Sequence, residues 1–309
     1  LKKQYSIQHK TSHNNHHSTI DISEDIIYDI DISDENVEIL YDNVRLKFLD
    51  LLRYFRDIHK DIKYYKRKCS EYLTYVDEAL DNSVYGMKEP KKQIKHIIAQ
   101  WINGSNDGYI FGFEGSPGTG KTTLAKQGIA KCIQDDEGNS RPFAFIALGG
   151  SSNGSTLEGH NYTYVGSTWG KIVDTLMITK CMNPIIYIDE LDKISRTEHG
   201  KEIVGILTHM TDMSQNELFN DKYFAGVPID ISKCLIIFSY NDVSKIDKIL
   251  LDRIHRIRIK DMNKYEKVQV MKNYVYSQIL DSVGFQVGDI ILDDFELLHI
   301  IDTYTCEPG

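Results

Sequence analysis

The chain has 309 residues, enough for about two domains of ordinary size. Its composition, 41% hydrophobic and 26% charged, permits a packed core, and the absence of an uncharged apolar run of about 18 residues excludes a transmembrane helix. The net charge of −9 argues against a broad nucleic-acid-binding face, which requires clustered Lys and Arg, although it permits a local basic groove.

The five cysteines are scattered and form no C-x-x-C pair. This pattern predicts thiols rather than disulfides or a metal centre, and therefore a location in the cytoplasm or another reducing compartment. The first residue is Leu and no secretory signal pattern follows it, so we expect the sequence to be a fragment of a longer protein.

Residues 1–35 are polar and rich in His, Asn, Asp and Ser, a composition that predicts a disordered leader. Four histidines in this segment are candidate metal ligands: His9, His13, His16 and His17. Because neither Cys partners nor a folded frame accompany them, a solvated tail is the favoured interpretation.

Residues 36–80 have a different pattern, in which apolar residues recur at intervals of three and four from Val37 to Ala79 without Gly or Pro. The pattern predicts one helix, roughly 65 Å long at about 1.5 Å per residue. Its narrow apolar seam is typical of a coiled-coil hairpin or of a helix lying on a neighbour. A plain amphipathic helix packed on its own domain is an equally good interpretation.

Residues 81–260 alternate between short apolar runs and helical stretches, which predicts an α/β domain with a parallel sheet sandwiched by helices. The predicted strands are Tyr109–Phe113, Phe143–Leu148, Pro184–Ile188, Leu235–Ser239 and His255–Ile259. The predicted helices begin near Gly120, Thr168, Gly200 and Asp242. Residues 261–309 are predicted to begin a small helical lid, truncated by the chain end, with helices at Asn263–Leu280 and Leu292–Tyr304.

The strongest chemical signal is the phosphate-loop motif G-S-P-G-T-G-K-T at residues 115–122, which follows a predicted strand and opens a predicted helix. Its glycines let backbone N–H groups surround a polyphosphate at the positive end of the helix dipole. Lys121 is expected to reach the β- and γ-phosphates of ATP, and the Thr122 hydroxyl to bind Mg²⁺. The nucleotide-binding residues predicted from the motif are Gly115, Ser116, Pro117, Gly118, Thr119, Gly120, Lys121, Thr122 and Thr123.

Two further strands are predicted to end in polar side chains at the same edge of the sheet. Asp189 and Glu190 follow an apolar strand, where Asp189 is expected to hold the Mg²⁺ shell and Glu190 to act as the general base for hydrolysis. Asn241 ends another strand and is expected to orient the attacking water, although Asn-Asp is also a common turn sequence.

Arg253 lies in the sequence L-L-D-R, before the predicted strand at 255–259. If subunits form a ring, this side chain could enter the neighbour's ATP site, where an arginine supplied in trans contributes ~10³–10⁵ in rate. Arg256 and Arg258 occupy alternate positions in that strand, and solvation at the surface is the expected role of both.

The segment N-Y-T-Y-V-G-S-T-W-G at residues 161–170 combines three aromatic residues with small flexible ones. An exposed Tyr-Val-Gly is costly to leave in water, so a substrate-gripping loop is one interpretation. An aromatic cluster folded back on the domain is the other, and composition alone does not separate them.

Seven blocks together resemble the ATPase module of Lon-type AAA+ proteases, and they extend from about residue 80 to the end of the chain. They are Val84–Ile98 and residues 115–122, 159–172, 188–194, 215–223, 230–241 and 250–254. The resemblance implies a homo-hexameric ring that threads protein substrates through a central pore. It also implies that Tyr85 and Gly86 lie near the adenine, and that residues 36–80 are a helical neck.

The resemblance also assigns roles within the ring. It implies that Tyr164, with Val165 beside it, grips the substrate, that Arg253 acts in trans, and that Asn241 is a polar sensor of the nucleotide. The sequence departs from the family at Trp169 and Gly170, where the family usually has a small residue followed by proline. It ends before the arginine expected in the lid and before the peptidase domain, so no Ser–Lys dyad is present.

The leading hypothesis from the sequence is therefore an ATP-driven unfoldase module of a Lon-like protease, dependent on ATP and Mg²⁺. Three alternatives stay open: a non-proteolytic remodelling or assembly ATPase, a nucleotide-dependent scaffold, and a nucleic-acid motor, which the charge disfavours. Membranes are not an expected partner.

Overall fold

The computed structural model describes residues 34–104, 109–134, 137–149, 153–286 and 288–305, with side chains described from residue 41 onward. The chain divides into two compact units, with the division between Tyr72 and Leu73. Cys306 and the four histidines of the leader lie outside the described residues.

A single helix, α1, occupies Asp34–Ser83 and extends the predicted helix by a few residues at each end. Large apolar side chains between Tyr41 and Tyr64 are exposed, including Phe48 and Phe55 near the middle of the seam. Both interpretations of this stretch, as a coiled coil and as a helix packed on its own domain, stay predictions. In the second unit, Val76 is buried.

The second unit is built on a parallel sheet, as predicted. Its strands are β1 (Ile110–Glu114), β2 (Phe143–Ala147), β3 (Ile185–Asp189), β6 (Leu235–Tyr240) and β7 (His255–Arg258), and a separate two-stranded sheet contains β4 (Phe219–Asn220) and β5 (Pro228–Ile229). The five strands lie in the order β2-β3-β6-β1-β7, and all pairings are parallel. Each predicted strand is confirmed to within one residue at either end.

Helices flank the sheet. They are α2 (Lys88–Ile102), α3 (Lys121–Thr123, continued by a π-helical stretch at Leu124–Ile129 and by Ala130–Cys132), α4 (Ser155–Glu158), α5 (Lys171–Thr179), α6 (Glu198–Met210) and α7 (Lys248–Leu251). The helix predicted to begin near Asp242 instead begins at Lys248, after a 3₁₀ turn at Val243–Lys245. Two acidic caps cause this division, since Asp242 accepts from the Ser244 N–H and Asp247 accepts from the Ile249 N–H.

The hydrophobic core lies between the sheet and its helices. On one face, strand residues such as Ile188 and Phe238 pack in a cluster with Ile172 of α5 and Leu207 of α6. The central strand β6 is buried along its whole length, which explains why its sequence is apolar except for Ser239.

Two helices complete the second unit. α8 runs through Lys264–Val270, a π-helical stretch at Met271–Val275, and Tyr276–Val283, and α9 occupies Asp294–Tyr304. Each begins with a capping box, formed by Asn263 with Glu266 and by Asp293 with Glu296. These paired polar residues explain why both predicted lid helices begin close to their expected positions.

The described part of the chain contains no helix that is both long and apolar enough to cross a membrane. Its four cysteines are thiols rather than disulfides. Burial raises the pKa of Cys132 and of Cys234 to about 12, so neither is an effective nucleophile at neutral pH.

The packing of β1 against its neighbours predicts the effect of adding one methyl group at Gly112. A Cβ there would lie 2.8 Å from the Tyr240 hydroxyl oxygen and would overlap Ile254. We expect Gly112→Ala to reduce the free energy of unfolding by about 1–3 kcal/mol, since a close-packed core does not admit extra volume. Urea unfolding followed by tryptophan fluorescence measures this loss.

Gly205→Ala is the matched control, because Gly205 lies in the middle of α6 and a Cβ there meets nothing within 4 Å. We expect it to be neutral or to gain up to ~1 kcal/mol from helix propensity. Equal losses in both variants would contradict the assigned packing at Gly112.

Candidate nucleotide-binding site

The predicted phosphate loop connects β1 to α3, and its backbone requires glycine at three positions. Gly118 and Gly120 have φ angles of 78° and 84°, in the left-handed region that other residues rarely adopt. A Cβ on Gly115 would lie 2.7 Å from the Ile259 carbonyl oxygen. The loop is therefore wound closely on itself and against the end of β7, as a phosphate-binding backbone must be.

The ammonium group of Lys121 is held inside this loop by three oxygen atoms. Its Nζ donates to the carbonyl oxygens of Gly115, at 2.7 Å, and Ser116, at 2.9 Å. It also donates to Oδ1 of Asn241, at 2.9 Å. The structure thus brings the predicted phosphate-binding lysine and the predicted sensor asparagine into direct contact, although they are 120 residues apart in the chain.

Burial lowers the pKa of Lys121, because removal from water disfavours the ammonium form. Three carboxylates, those of Asp189, Asp192 and Asp261, act in the opposite direction. A buried cation in a loop of N–H donors suits a polyphosphate, whose oxygens could replace the carbonyls that now bind the ammonium.

The fit to Mg²⁺ rests on Thr122 and Asp189. Thr122 lines the neighbouring cleft, and Asp189 ends β3 at the same edge of the sheet. Hydroxyl and carboxylate oxygens suit this ion, which usually takes few protein ligands and completes its shell with phosphates and water. Among the residues that the structure describes, no group of three or more His, Cys, Asp or Glu forms a separate metal site.

Glu190, the predicted general base, has a left-handed backbone with φ of 62°. Its carboxylate is bound by the ammonium of Lys193 and lies directly on Gly149, at a point that any Cβ would occupy. Neither contact was expected from the sequence, although Lys193 stands three residues after Glu190, a common spacing for an ion pair. In this conformation the carboxylate is paired.

Asp192 is a further polar residue at this edge that the motif analysis overlooked. One carboxylate oxygen, Oδ2, accepts a hydrogen bond from the Asp242 N–H at 3.2 Å. The other, Oδ1, is buried and has no hydrogen-bond partner among the described residues. Asp192 therefore links the turn after β3 to the residue that follows Asn241, and its signal in the sequence was a second carboxylate just beyond Asp189 and Glu190.

A cleft of about 850 Å³ lies beside the phosphate loop and has the size of a nucleotide pocket. Its wall combines loop and α3 residues with the segment after α1 and with α8: Gly118, Gly120, Thr122, Thr123, Tyr85, Met87, Val270 and Tyr274. Tyr85 lies in the wall, and its position near the adenine stays a prediction. Gly86 is not among the lining residues, and its φ of 69° shows that it turns the chain between Tyr85 and Met87.

Arg253 does not line this cleft in its own chain. Its Nη1 donates to the Thr208 carbonyl at 2.7 Å, and its Nη2 lies 3.0 Å from Oδ2 of Asp212. The guanidinium is partly exposed, and it is anchored to the end of α6. The predicted trans arginine therefore lies away from the phosphate loop of the same chain.

Arg256 is exposed, as expected, and it also forms an ion pair. Its Nη2 lies 2.7 Å from Oε2 of Glu114, the residue that immediately precedes Gly115. This pair attaches β7 to the start of the phosphate loop, because Glu114 projects from the end of β1 on the face where Arg256 stands. Arg258 is exposed, as expected.

The aromatic loop at residues 161–170 combines both interpretations drawn from the sequence. Tyr162 and Tyr164 are exposed, and Val165 at the tip is fully exposed. Trp169, in contrast, packs on Phe224 and Tyr223, with ring centroids 6.3 and 5.8 Å away. The tip thus presents Tyr164 and Val165 to solvent, and the tryptophan fastens the loop to the domain.

Asp221 secures the base of the same loop and was not recognised from the sequence. Its buried carboxylate accepts hydrogen bonds from the N–H groups of Gly170 and Tyr223, each at 2.8 Å. A buried carboxylate with two backbone donors is well satisfied, so this contact holds the loop and the segment after β4 together.

Comparison with known proteins agrees with this geometry. The model of the "ATPase family associated with various cellular activities (AAA)" matches residues 111–262. A Lon protease homolog of Acanthamoeba polyphaga mimivirus is 35% identical over 78% of this chain and 23% of its own length. The Lon protease of Helicobacter pylori is 34% identical over 79% of this chain and 30% of its own length. The mitochondrial Lon protease homolog of Candida dubliniensis is 35% identical over 75% of this chain and 21% of its own length.

The chain thus spans between 21% and 30% of the length of these relatives. The matched region contains the five-stranded sheet, the phosphate loop and the polar strand ends described above. The chain therefore contains an AAA ATPase domain that is homologous to the ATPase part of Lon proteases.

Proposed function

We propose that this chain binds and hydrolyses ATP with Mg²⁺ and is the motor of a homo-hexameric ring that unfolds and threads protein substrates for a Lon-like peptidase. The observation that carries the proposal is the contact of the Lys121 ammonium with both the phosphate loop and Asn241. It joins the group that would bind the phosphates to the group that would sense them. The named relatives are Lon proteases, which supports the peptidase association.

In this proposal the phosphate loop surrounds the β- and γ-phosphates with backbone N–H groups, and Lys121 exchanges its carbonyl contacts for phosphate oxygens. Thr122 and Asp189 would hold Mg²⁺, which when bound neutralises the charge of the phosphates. Tyr85 would lie against the base in the cleft. Each role uses a side chain at or beside the carboxyl edge of the sheet.

Hydrolysis in this proposal requires Glu190 to leave Lys193 and turn from Gly149 toward the γ-phosphate. The carboxylate would then accept a proton from the attacking water, while Asn241 orients that water. The contact with Lys193 stabilises a resting arrangement of the base, which favours low turnover until nucleotide rearranges the site.

Arg253 is proposed to enter the site of the next subunit in the ring. Its anchoring by Thr208 and Asp212, away from the phosphate loop of its own chain, supports an action in trans. Tyr164 and Val165 are proposed to grip the threaded polypeptide, an assignment supported by their exposure on a loop whose base is fixed by Asp221. A reducing compartment and a lack of nucleic-acid partners stay predictions.

Replacing Glu190 by Gln is expected to lower ATP turnover by roughly 10²–10⁴-fold and to leave ATP binding nearly unchanged, because only the proton acceptor is lost. Phosphate release and equilibrium binding of a fluorescent nucleotide measure the two effects. Glu198→Gln is the matched control, since Glu198 is exposed and pairs with Lys201 on α6. Equal turnover in wild type and Glu190→Gln would show that Glu190 is not the base.

The trans role of Arg253 predicts complementation between two inactive variants. Arg253→Ala alone is expected to lose ~10³–10⁵ in rate, and Glu190→Gln is inactive for its own reason. Mixed rings should recover activity, because an Arg253→Ala subunit with an intact base can receive the arginine of a Glu190→Gln neighbour. Arg258→Ala, an exposed change in the adjacent strand, is the control. No recovery on mixing would assign Arg253 to its own chain.

Tyr164→Ala is expected to preserve basal ATP hydrolysis and to reduce ATP-dependent unfolding of a protein substrate at least several-fold, because the exposed tip loses its aromatic contact. Loss of fluorescence from an unfolded reporter protein measures this step. Tyr265→Ala removes an equally exposed tyrosine from α8 and should not affect unfolding. Unchanged unfolding in the Tyr164 variant would return the loop to a structural role.

A further inference from the structure

The hydroxyl group of Tyr187 lies in the interior of the domain, between β3 and the first turn of α3. The Tyr187 side chain is completely buried, and its Oη lies 3.2 Å from Oγ1 of Thr122. Thr122 also lines the cleft. Tyr187 of β3 therefore contacts Thr122, the proposed Mg²⁺ ligand, from the interior of the domain.

The position of this hydroxyl is rigid. The Tyr187 ring is stacked on Phe145, with centroids 5.8 Å apart and an interplanar angle of 19°. The ring of Phe143 lies at the same centroid distance. A phenol oxygen lies on the axis of its ring, so rotation of the ring does not displace it. The surrounding packing thus holds Oη at one point relative to Thr122.

We infer that Tyr187 is a positioning residue for Mg²⁺ binding, which orients the Thr122 hydroxyl by accepting its hydrogen bond. A threonine hydroxyl has one proton to donate and two lone pairs. When the proton is directed to Tyr187, both lone pairs are left for a cation in the cleft. This inference rests on the proposed function, because it gives Tyr187 a role in the proposed Mg²⁺ site.

The Tyr187 hydroxyl then needs an acceptor for its own proton, and β6 supplies a candidate. Ser239 lies two residues beyond Ile237, the partner of Tyr187 in the sheet, so both side chains are on one face. The Ser239 Oγ is buried and has no hydrogen-bond partner among the described residues.

A phenylalanine at this position would fill the same volume without a buried hydroxyl that costs free energy unless it is paired. The hydroxyl could thus serve only the core, or it could orient Thr122. These roles differ in what they predict, because a core role affects stability alone, whereas orientation of Thr122 changes the affinity for Mg²⁺.

The test is the binding of a fluorescent non-hydrolysable ATP analogue to the full chain, titrated over a range of free Mg²⁺ concentrations. We expect Tyr187→Phe to bind the analogue like the wild type without Mg²⁺, and to need roughly three- to ten-fold more Mg²⁺ for half of the affinity gain. In a Thr122→Val background, the Tyr187→Phe change should have no further effect, because the group that it orients is absent.

Tyr240→Phe is the matched control, since Tyr240 is equally buried and its hydroxyl lies against Gly112 on the opposite face of the sheet. It should leave the Mg²⁺ midpoint unchanged, and thermal unfolding reports any loss of stability in each variant. The same midpoint for wild type and Tyr187→Phe would overturn the inference, as would an equal effect of Tyr187→Phe in the Thr122→Val background. If the nucleotide affinity of the wild-type chain does not depend on the Mg²⁺ concentration, the proposed Mg²⁺ site itself is refuted.

Discussion

The buried ammonium of Lys121 is the constraint on which the site depends. A charge removed from water requires hydrogen-bond acceptors, and three are supplied by Gly115, Ser116 and Asn241. Two of them belong to the loop after β1 and the third follows β6. These acceptors converge only if β1 and β6 are adjacent and parallel, as they are. The sheet order is therefore part of the chemistry of the site.

Other polar contacts connect the same edge of the sheet. Asp192 attaches the turn after β3 to the Asp242 N–H beyond β6, and Arg256 of β7 is bound to Glu114 at the end of β1. Each contact joins two strand ends rather than one strand to solvent. Together with the contacts of Lys121, they connect β1, β3, β6 and β7 at this edge.

The predictions that succeeded concern short-range patterns. The strands agree to within one residue, and four of the five are apolar runs that stand out from their surroundings. Two glycines of the phosphate-loop motif, Gly118 and Gly120, have the left-handed backbone that favours glycine. The contacts that the sequence did not reveal join residues far apart in the chain. Arg256 is exposed, as expected, but it also binds Glu114, which lies 142 residues earlier in the chain. The contact of Tyr187 with Thr122, which precedes it by 65 positions, likewise has no signal in local spacing.

The sequence by itself determined the strand and helix pattern, the phosphate loop, and the identity of the polar residues at the strand ends, since these follow from local spacing and residue type. Only the tertiary structure decided which of them meet. It bound Lys121 to Asn241, placed the Glu190 carboxylate on Lys193, held Arg253 on α6, and separated Trp169 from the exposed tip at Tyr164. The physical reason is that a side-chain contact depends on the order of strands in the sheet and on the packing of helices, which local periodicity does not encode.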